Sequence, residues 1–149
     1  MLRPLDDAET DVLIEAATRA RQQIDQDMHR TDGKTRHMLG AIRDRLLDPA
    51  INVSVLAREL GFEPNTLSPS FHAALGTTPW AYIQDRRFEV AIKLMRRTAL
   101  PVWRVGMLIG YPNLCTFSRA FKRRLGATPT RLVRTRQAPA TLGASQPGW

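Results

Sequence analysis

The sequence holds a single cysteine, Cys115, so no disulfide can close within the chain, and a lone thiol suits a reducing cytoplasm. No apolar run approaches the ~20 residues that a membrane helix needs, so no membrane partner is expected. The opening residues, Met1-Leu2-Arg3-Pro4-Leu5-Asp6-Asp7, contain no apolar core of a leader, and no secretory signal is expected. His29, His37 and His72 stand at no ligand spacing with Cys115 or with acids, which leaves neither a metal site nor a cofactor in the expectation. Sustained period-two alternation is missing, which argues against a sheet. Nothing has the form of a nucleophile elbow, a phosphate loop or paired catalytic acids, so the chain reads as a non-enzyme.

Acids are also nearly missing from one half. Between Arg86 and Arg136 the only acid is Glu89, against Arg86, Arg87, Lys93, Arg96, Arg97, Arg104, Arg119, Lys122, Arg123, Arg124, Arg131, Arg134 and Arg136. Most other acids precede residue 64, and Asp6, Asp7, Glu9, Asp11 and Glu15 crowd the start of one helix. The net charge of +8 is therefore concentrated, which favours a polyanionic partner over an evenly solubilised surface.

What is present is helical periodicity. Val12, Leu13, Ala16, Ala20, Ile24 and Met28 share a face over about 7–29, and Thr31-Asp32-Gly33 breaks that helix. A second helix is expected over about 34–47, carrying Met38, Leu39, Ile42, Leu46 and Leu47 and ending at Asp48-Pro49. Residues 135–149 are rich in Ala, Pro, Gly, Ser and Thr without an apolar period, and read as a disordered tail.

The most informative feature is an internal repeat. Val53, Leu56, Ala57, Leu60, Gly61 and Phe62 match Val102, Val105, Gly106, Ile109, Gly110 and Tyr111 at an offset of 49. Leu67, Ser68, Phe71, Leu75, Gly76, Thr78 and Pro79 then match Phe117, Ser118, Phe121, Leu125, Gly126, Thr128 and Pro129 at an offset of 50. Each copy predicts a two-turn helix ended by Gly61 or Gly110 at positive φ, a tight turn, and a second helix closed by Gly76 or Gly126. Pro79 and Pro129 then open the next helices. Two helices joined by a short glycine-containing turn form a helix-turn-helix. Between the copies lies a longer helix, 79–98, with Ile83, Phe88, Ala91, Leu94 and Met95 inward. Its length of roughly 27–30 Å suits two reading heads about one DNA turn, ~34 Å, apart.

The run from Ile109 to Pro129 resembles the signature of the AraC/XylS family of bacterial transcription regulators, through Gly110-Tyr111, Phe117-Ser118-Arg119-Ala120-Phe121-Lys122-Arg123, Gly126 and Pro129. Supporting matches are Leu56-Ala57-Arg58-Glu59-Leu60-Gly61-Phe62, Pro79-Trp80, Tyr82-Ile83, Arg87, Ala91 and Leu94-Met95. The resemblance implies an all-α, homeodomain-like fold: two helix-turn-helix subdomains joined by a long linker helix, here with an extra N-terminal helix. The expected organisation is a 1–33 helical extension and a 34–134 DNA-binding domain, with a first unit at 34–78, a linker helix at 79–98 and a second unit at 101–134. The implied function is sequence-specific binding of double-stranded DNA in successive major grooves, by a cytoplasmic, nucleoid-associated regulator with RNA polymerase as a further partner. The N-terminal helix is a candidate for self-association. Three positions depart from the family pattern: Glu63 for a common Ser, Pro69 for an Arg or Lys, and Leu132 for an aromatic.

In the second unit, Asn113 has the form of an N-cap. Leu114, Cys115, Ser118, Arg119 and Lys122 fall outward from the Phe117 and Phe121 face. Arg119 is the candidate base reader, because a guanidinium pairs bidentately with guanine O6 and N7. Thr116 and Ser118 suit phosphate or base edges, Leu114 a thymine methyl, and Lys122, Arg123 and Arg124 the backbone. In the first unit the candidates are Asn65, Thr66 and Ser68, since Pro69, His72, Ala73 and Ala74 overlie Arg119, Lys122, Arg123 and Arg124. The second unit is therefore expected to dominate. Pro69 kinks or restarts its helix; Ser68-Pro69 has the form of a cap and first-turn pair, so a start there is one reading and a kinked continuous helix the other. The alternative function is a helical adaptor whose acidic first helix docks a protein and whose basic half is only a solubilising surface.

Overall fold

The computed structural model describes residues 2–137, with side chains through Val133. Among the described residues the chain is eight α-helices without strands. They are α1 Asp7–His29, α2 Gly33–Asp44, α3 Val53–Glu59, α4 Pro64–Leu75, α5 Pro79–Arg97, α6 Val102–Leu108, α7 Leu114–Leu125 and α8 Pro129–Gln137. No helix among these residues is long and apolar enough to cross a membrane. The expected disordered tail falls mostly on 138–149, outside the described residues; α8 continues to Gln137, past the expected boundary at 134.

Local chemistry sets most boundaries. The Asp6 carboxylate accepts from the Glu9 amide at 2.7 Å and starts α1, with Asp7 and Glu9 in the first turn where the helix dipole favours negative charge. Asn52, Thr78 and Asn113 cap α3, α5 and α7 in the same way. The two short helices α3 and α6 end on turns with the same hydrogen-bond pattern. Phe62 N donates to Ala57 O and Tyr111 N to Gly106 O, both at 2.8 Å, while Gly61 (φ 80) and Gly110 (φ 106) take the left-handed conformation that glycine tolerates.

One boundary differs from the expectation, and one that the sequence left open is decided. α2 ends at Asp44 rather than near 47, because the chain turns so that the Leu46 and Asp48 carbonyls meet the Arg87 guanidinium, each at 2.7 Å. Leu46 stays fully buried all the same. α4 begins at Pro64 and runs through Pro69 instead of starting there. Pro64 takes the first helical position, where its missing N–H costs nothing. Leu67 and Phe71 must both reach the core, and both are fully buried, which a helix opening at 69 would not achieve for Leu67. Pro69 then leaves one backbone bond unmade inside the helix.

The core is one continuous cluster. α1 lies along α5 and α2, burying Val12, Ala16, Ala20 and Ile24; its small residues permit that close approach. α2, α3 and α4 enclose Met38, Leu39, Ile42, Leu56, Leu67 and Phe71. α5, α6, α7 and α8 enclose Phe88, Leu94, Val105, Phe117 and Phe121. Each fully buried Leu, Ile or Phe contributes about 1.5–3 kcal/mol, so α5, which packs on both halves, ties them into a single fold.

Candidate nucleic-acid interface

The second helical pair is built around a close approach. A Cβ at Gly106 would lie 2.7 Å from Phe117 Cδ2, so only glycine lets α6 meet α7 at this distance. Phe117 and Phe121 pack with Phe88 and Tyr111 at centroid separations of 5.2–6.1 Å. Aromatic packing of this kind fixes the rotation of α7 about its axis. The opposite face is thereby exposed: Leu114 (42% exposed), Cys115, Arg119 and Lys122 lie on it, Arg123 flanks it, and Ser118 is half-buried.

Charge on this face is available. Among the described residues no carboxylate or carbonyl engages Arg119, Lys122 or Arg123. Arg124 is different. Its Nε and Nη2 donate to the two Asp85 carboxylate oxygens at 2.6 and 2.7 Å, which raises the guanidinium pKa chiefly through that hydrogen bonding. Arg124 therefore anchors α7 on α5 through this pair, an engagement that the sequence reading did not include. Thr116 is also partly committed: its N–H (2.9 Å) and its hydroxyl (3.0 Å) both donate to Asn113 Oδ1, which leaves the Asn113 amide NH₂ as the outward donor.

The first pair has the same backbone and a different surface. Asn65 and Thr66 are exposed and Ser68 is half-buried, so the first-unit candidates lie along the start of α4. The Thr66 hydroxyl donates to Glu63 O at 2.9 Å and the Ser70 hydroxyl to Thr66 O at 3.1 Å. The exposed positions 69, 72, 73 and 74 carry Pro, His, Ala and Ala.

Arg87, on α5, links the two pairs. It is 1% exposed, donates to the Leu46 and Asp48 carbonyls of the first half, and packs beneath the second. Its guanidinium carbon is 5.7 Å from the Tyr111 ring centroid, and a Cβ on Gly110 would fall 2.8 Å from it. Gly110 is thus required twice, by its φ and by the arginine below. Burial pulls the Arg87 pKa below the ordinary arginine value, opposed by Tyr111 and Asp48.

Sequence reasoning missed how many cations of the basic half are held internally. Arg97 pairs with Glu15 on α1 at 3.0 Å, and Arg86 with Glu89 at 2.6 Å. Arg86 also lies 4.9 Å from the Tyr82 ring, whose hydroxyl donates to the buried Asp27. Arg104 donates to the Arg3 carbonyl. The Arg86–Glu89 pair is three residues apart on one helix, but the acidic first helix also neutralises part of the basic half, and no local sequence signal marks a pair such as Arg97 and Glu15. Cys115 lies exposed on the outer face of α7, without a second cysteine in the sequence.

A family model described as a helix-turn-helix domain matches residues 56–135. The chain is 28% identical over 120 residues to the arabinose operon regulatory protein of Escherichia coli K12, covering 80% of this chain and 41% of that protein. It is 32% identical over 87 residues to the regulatory protein SoxS of the same organism, covering 58% of this chain and 81% of SoxS. Of the solved structures, the C-terminal domain of AraT, a response regulator from Geobacillus stearothermophilus, superposes with a TM-score of 0.57 at 25% identity, covering 84% of this chain and 88% of that one. The C-terminal domain of the response regulator yesN from Fusobacterium nucleatum shares the fold at a TM-score of 0.60 and 24% identity, over 64% of this chain and 93% of that one. The chain thus spans less than half the length of the arabinose regulator and most of the length of SoxS.

Proposed function

The chain belongs to the AraC-type helix-turn-helix family, and on that premise we propose that it binds double-stranded DNA sequence-specifically and regulates transcription. The observation that carries this reading is the outer face of α7, where Arg119 and Lys122 lie exposed and unpaired above a helix locked by Phe117 and Phe121. Arg119 reads a base, with Leu114, Cys115 and Ser118 beside it in the groove; Asn113, Thr116, Lys122 and Arg123 hold the sugar-phosphate backbone. The α4 start, with Asn65, Thr66 and Ser68, enters the neighbouring major groove with weaker selectivity. The second unit therefore dominates sequence choice.

As a regulator the protein acts beside the nucleoid, in the cytoplasm, with RNA polymerase as its protein partner. The named relatives are regulatory proteins, in keeping with a non-catalytic role. The adaptor reading finds less support, because Glu15 and Asp27 of the acidic helix are engaged within the protein. Self-association through the small-residue face of α1 is likewise disfavoured, since Ala16, Ala17 and Ala20 are already buried.

The test is selection of bound duplexes from a random library, followed by titration at several salt concentrations. One or two enriched blocks of sequence are expected, with affinity falling steeply as salt rises through counterion release. Absence of any enriched sequence, together with salt-independent binding, would overturn the proposal.

A further inference from the structure

The first helical pair lacks charge on its reading helix, and a cluster beside it holds cations that the second pair lacks. α2 and α5 occupy equivalent places, since Leu39, Ile42 and Leu46 match the buried Phe88, Ala91 and Met95 at the offset of 49. On that register Arg36 stands where α5 carries Asp85, and Ala74 where α7 carries Arg124. In the second unit the acid is on α5, the helix before the pair, and the cation on the reading helix; in the first unit the cation stands on the preceding helix, α2.

The surroundings of Arg36 extend the exchange. His29, Arg30, Lys34 and Arg36 line an open hollow of about 670 Å³ whose far wall is Ser70, Ala73 and Ala74 of α4, and Asp32 is the one acid on it. Arg30 pairs with the buried Asp27. Arg36 donates through Nε to Met28 O at 3.0 Å, which leaves its terminal nitrogens toward solvent. Lys34 Nζ lies 3.4 Å from Thr66 Oγ1, at the edge of α4 assigned above to a groove. A polyanion following α4 would meet this rim first.

We infer that Lys34 and Arg36 are the phosphate-backbone grip of the first unit, holding the duplex beside α4 from a neighbouring helix because α4 has no cation to do so. The partner is the DNA sugar-phosphate chain, and the inference rests on the duplex reading given above. Base preference at the first groove is left to Asn65, Thr66 and Ser68, while Lys34 and Arg36 set how firmly that half is held.

The experiment compares the full chain with Lys34→Gln/Arg36→Gln on a library-selected duplex, titrated from about 50 to about 200 mM salt. Each lost phosphate contact lowers the slope of log affinity against log salt by about 0.9, so the double variant should be shallower by about 1–2, with unchanged base preference. The conservative variant Lys34→Arg/Arg36→Lys should keep the original slope. Arg19→Gln, further along α1, controls for net charge and should leave the slope in place. An unchanged slope in the double variant, or an equal loss in Arg19→Gln, overturns the rim while leaving the duplex reading intact. A wild-type chain without salt-dependent duplex binding overturns that reading instead.

Discussion

The helical pairs α3–α4 and α6–α7 share a turn with the same hydrogen-bond pattern, yet divide on what fills and what faces them. The second is packed by four rings, Phe88, Tyr111, Phe117 and Phe121, against a glycine that admits Phe117 at close range. The first has Ala57 at the crossing and Leu67 in place of Phe117, with Phe71 packed edge-on against Tyr82. The second carries Arg119 and Lys122 outward, whereas the first carries Pro69 and His72. A few apolar and glycine positions thus suffice to hold the backbone of this motif, while its exposed face is free to change charge without loss of fold.

The largest expected effect that tests this contrast is on packing. Phe117→Ala should destabilise the protein by about 3–5 kcal/mol in urea unfolding, and Leu67→Ala by about 2–5 kcal/mol. A larger cost at Leu67 would reverse the ranking and place the tighter core in the first pair.

Pro69 offers a change of opposite sign. Pro69→Ala restores the backbone bond to Asn65 O and removes the ring from the helix interior, so stability should rise by about 1–3 kcal/mol, with greater helical circular dichroism. A fall in stability would mean that the proline fits its site without strain. Binding comes next: Arg119→Ala should cost about 1–3 kcal/mol of duplex affinity and relax the second block of selected sequence, while Ser68→Ala should change affinity by less than about 1 kcal/mol. Equal losses, with base preference surviving Arg119→Ala, would remove the proposed dominance of the second unit. The smallest effect belongs to Arg124→Ala. Its pair with Asp85 is partly exposed, so thermal unfolding should show a loss below about 1 kcal/mol.

Much of the fold was legible because it is written in short-range chemistry. The cap Asn113 and the turn glycines Gly61, Gly76, Gly110 and Gly126 act on neighbours a few residues away. Their spacing in the repeat therefore predicts both helical pairs and the orientation of α7. The end of α2, which falls earlier than expected, and the start of α4, which the sequence left open between two readings, are the boundaries where a distant demand outweighs the local signal. At one the demand comes from the Arg87 guanidinium, and at the other from the need to bury Leu67.

The sequence by itself determined the eight-helix pattern, the duplicated turn and the outward stripe of α7, because periodicity and glycine conformation operate within a few residues. Only the tertiary structure decided which cations remain free. Arg124 and Asp85 are 39 residues apart, and Arg97 and Glu15 are 82 apart. Ion pairs depend on distance through space, and folding brought an acidic helix onto the basic half before any partner was present.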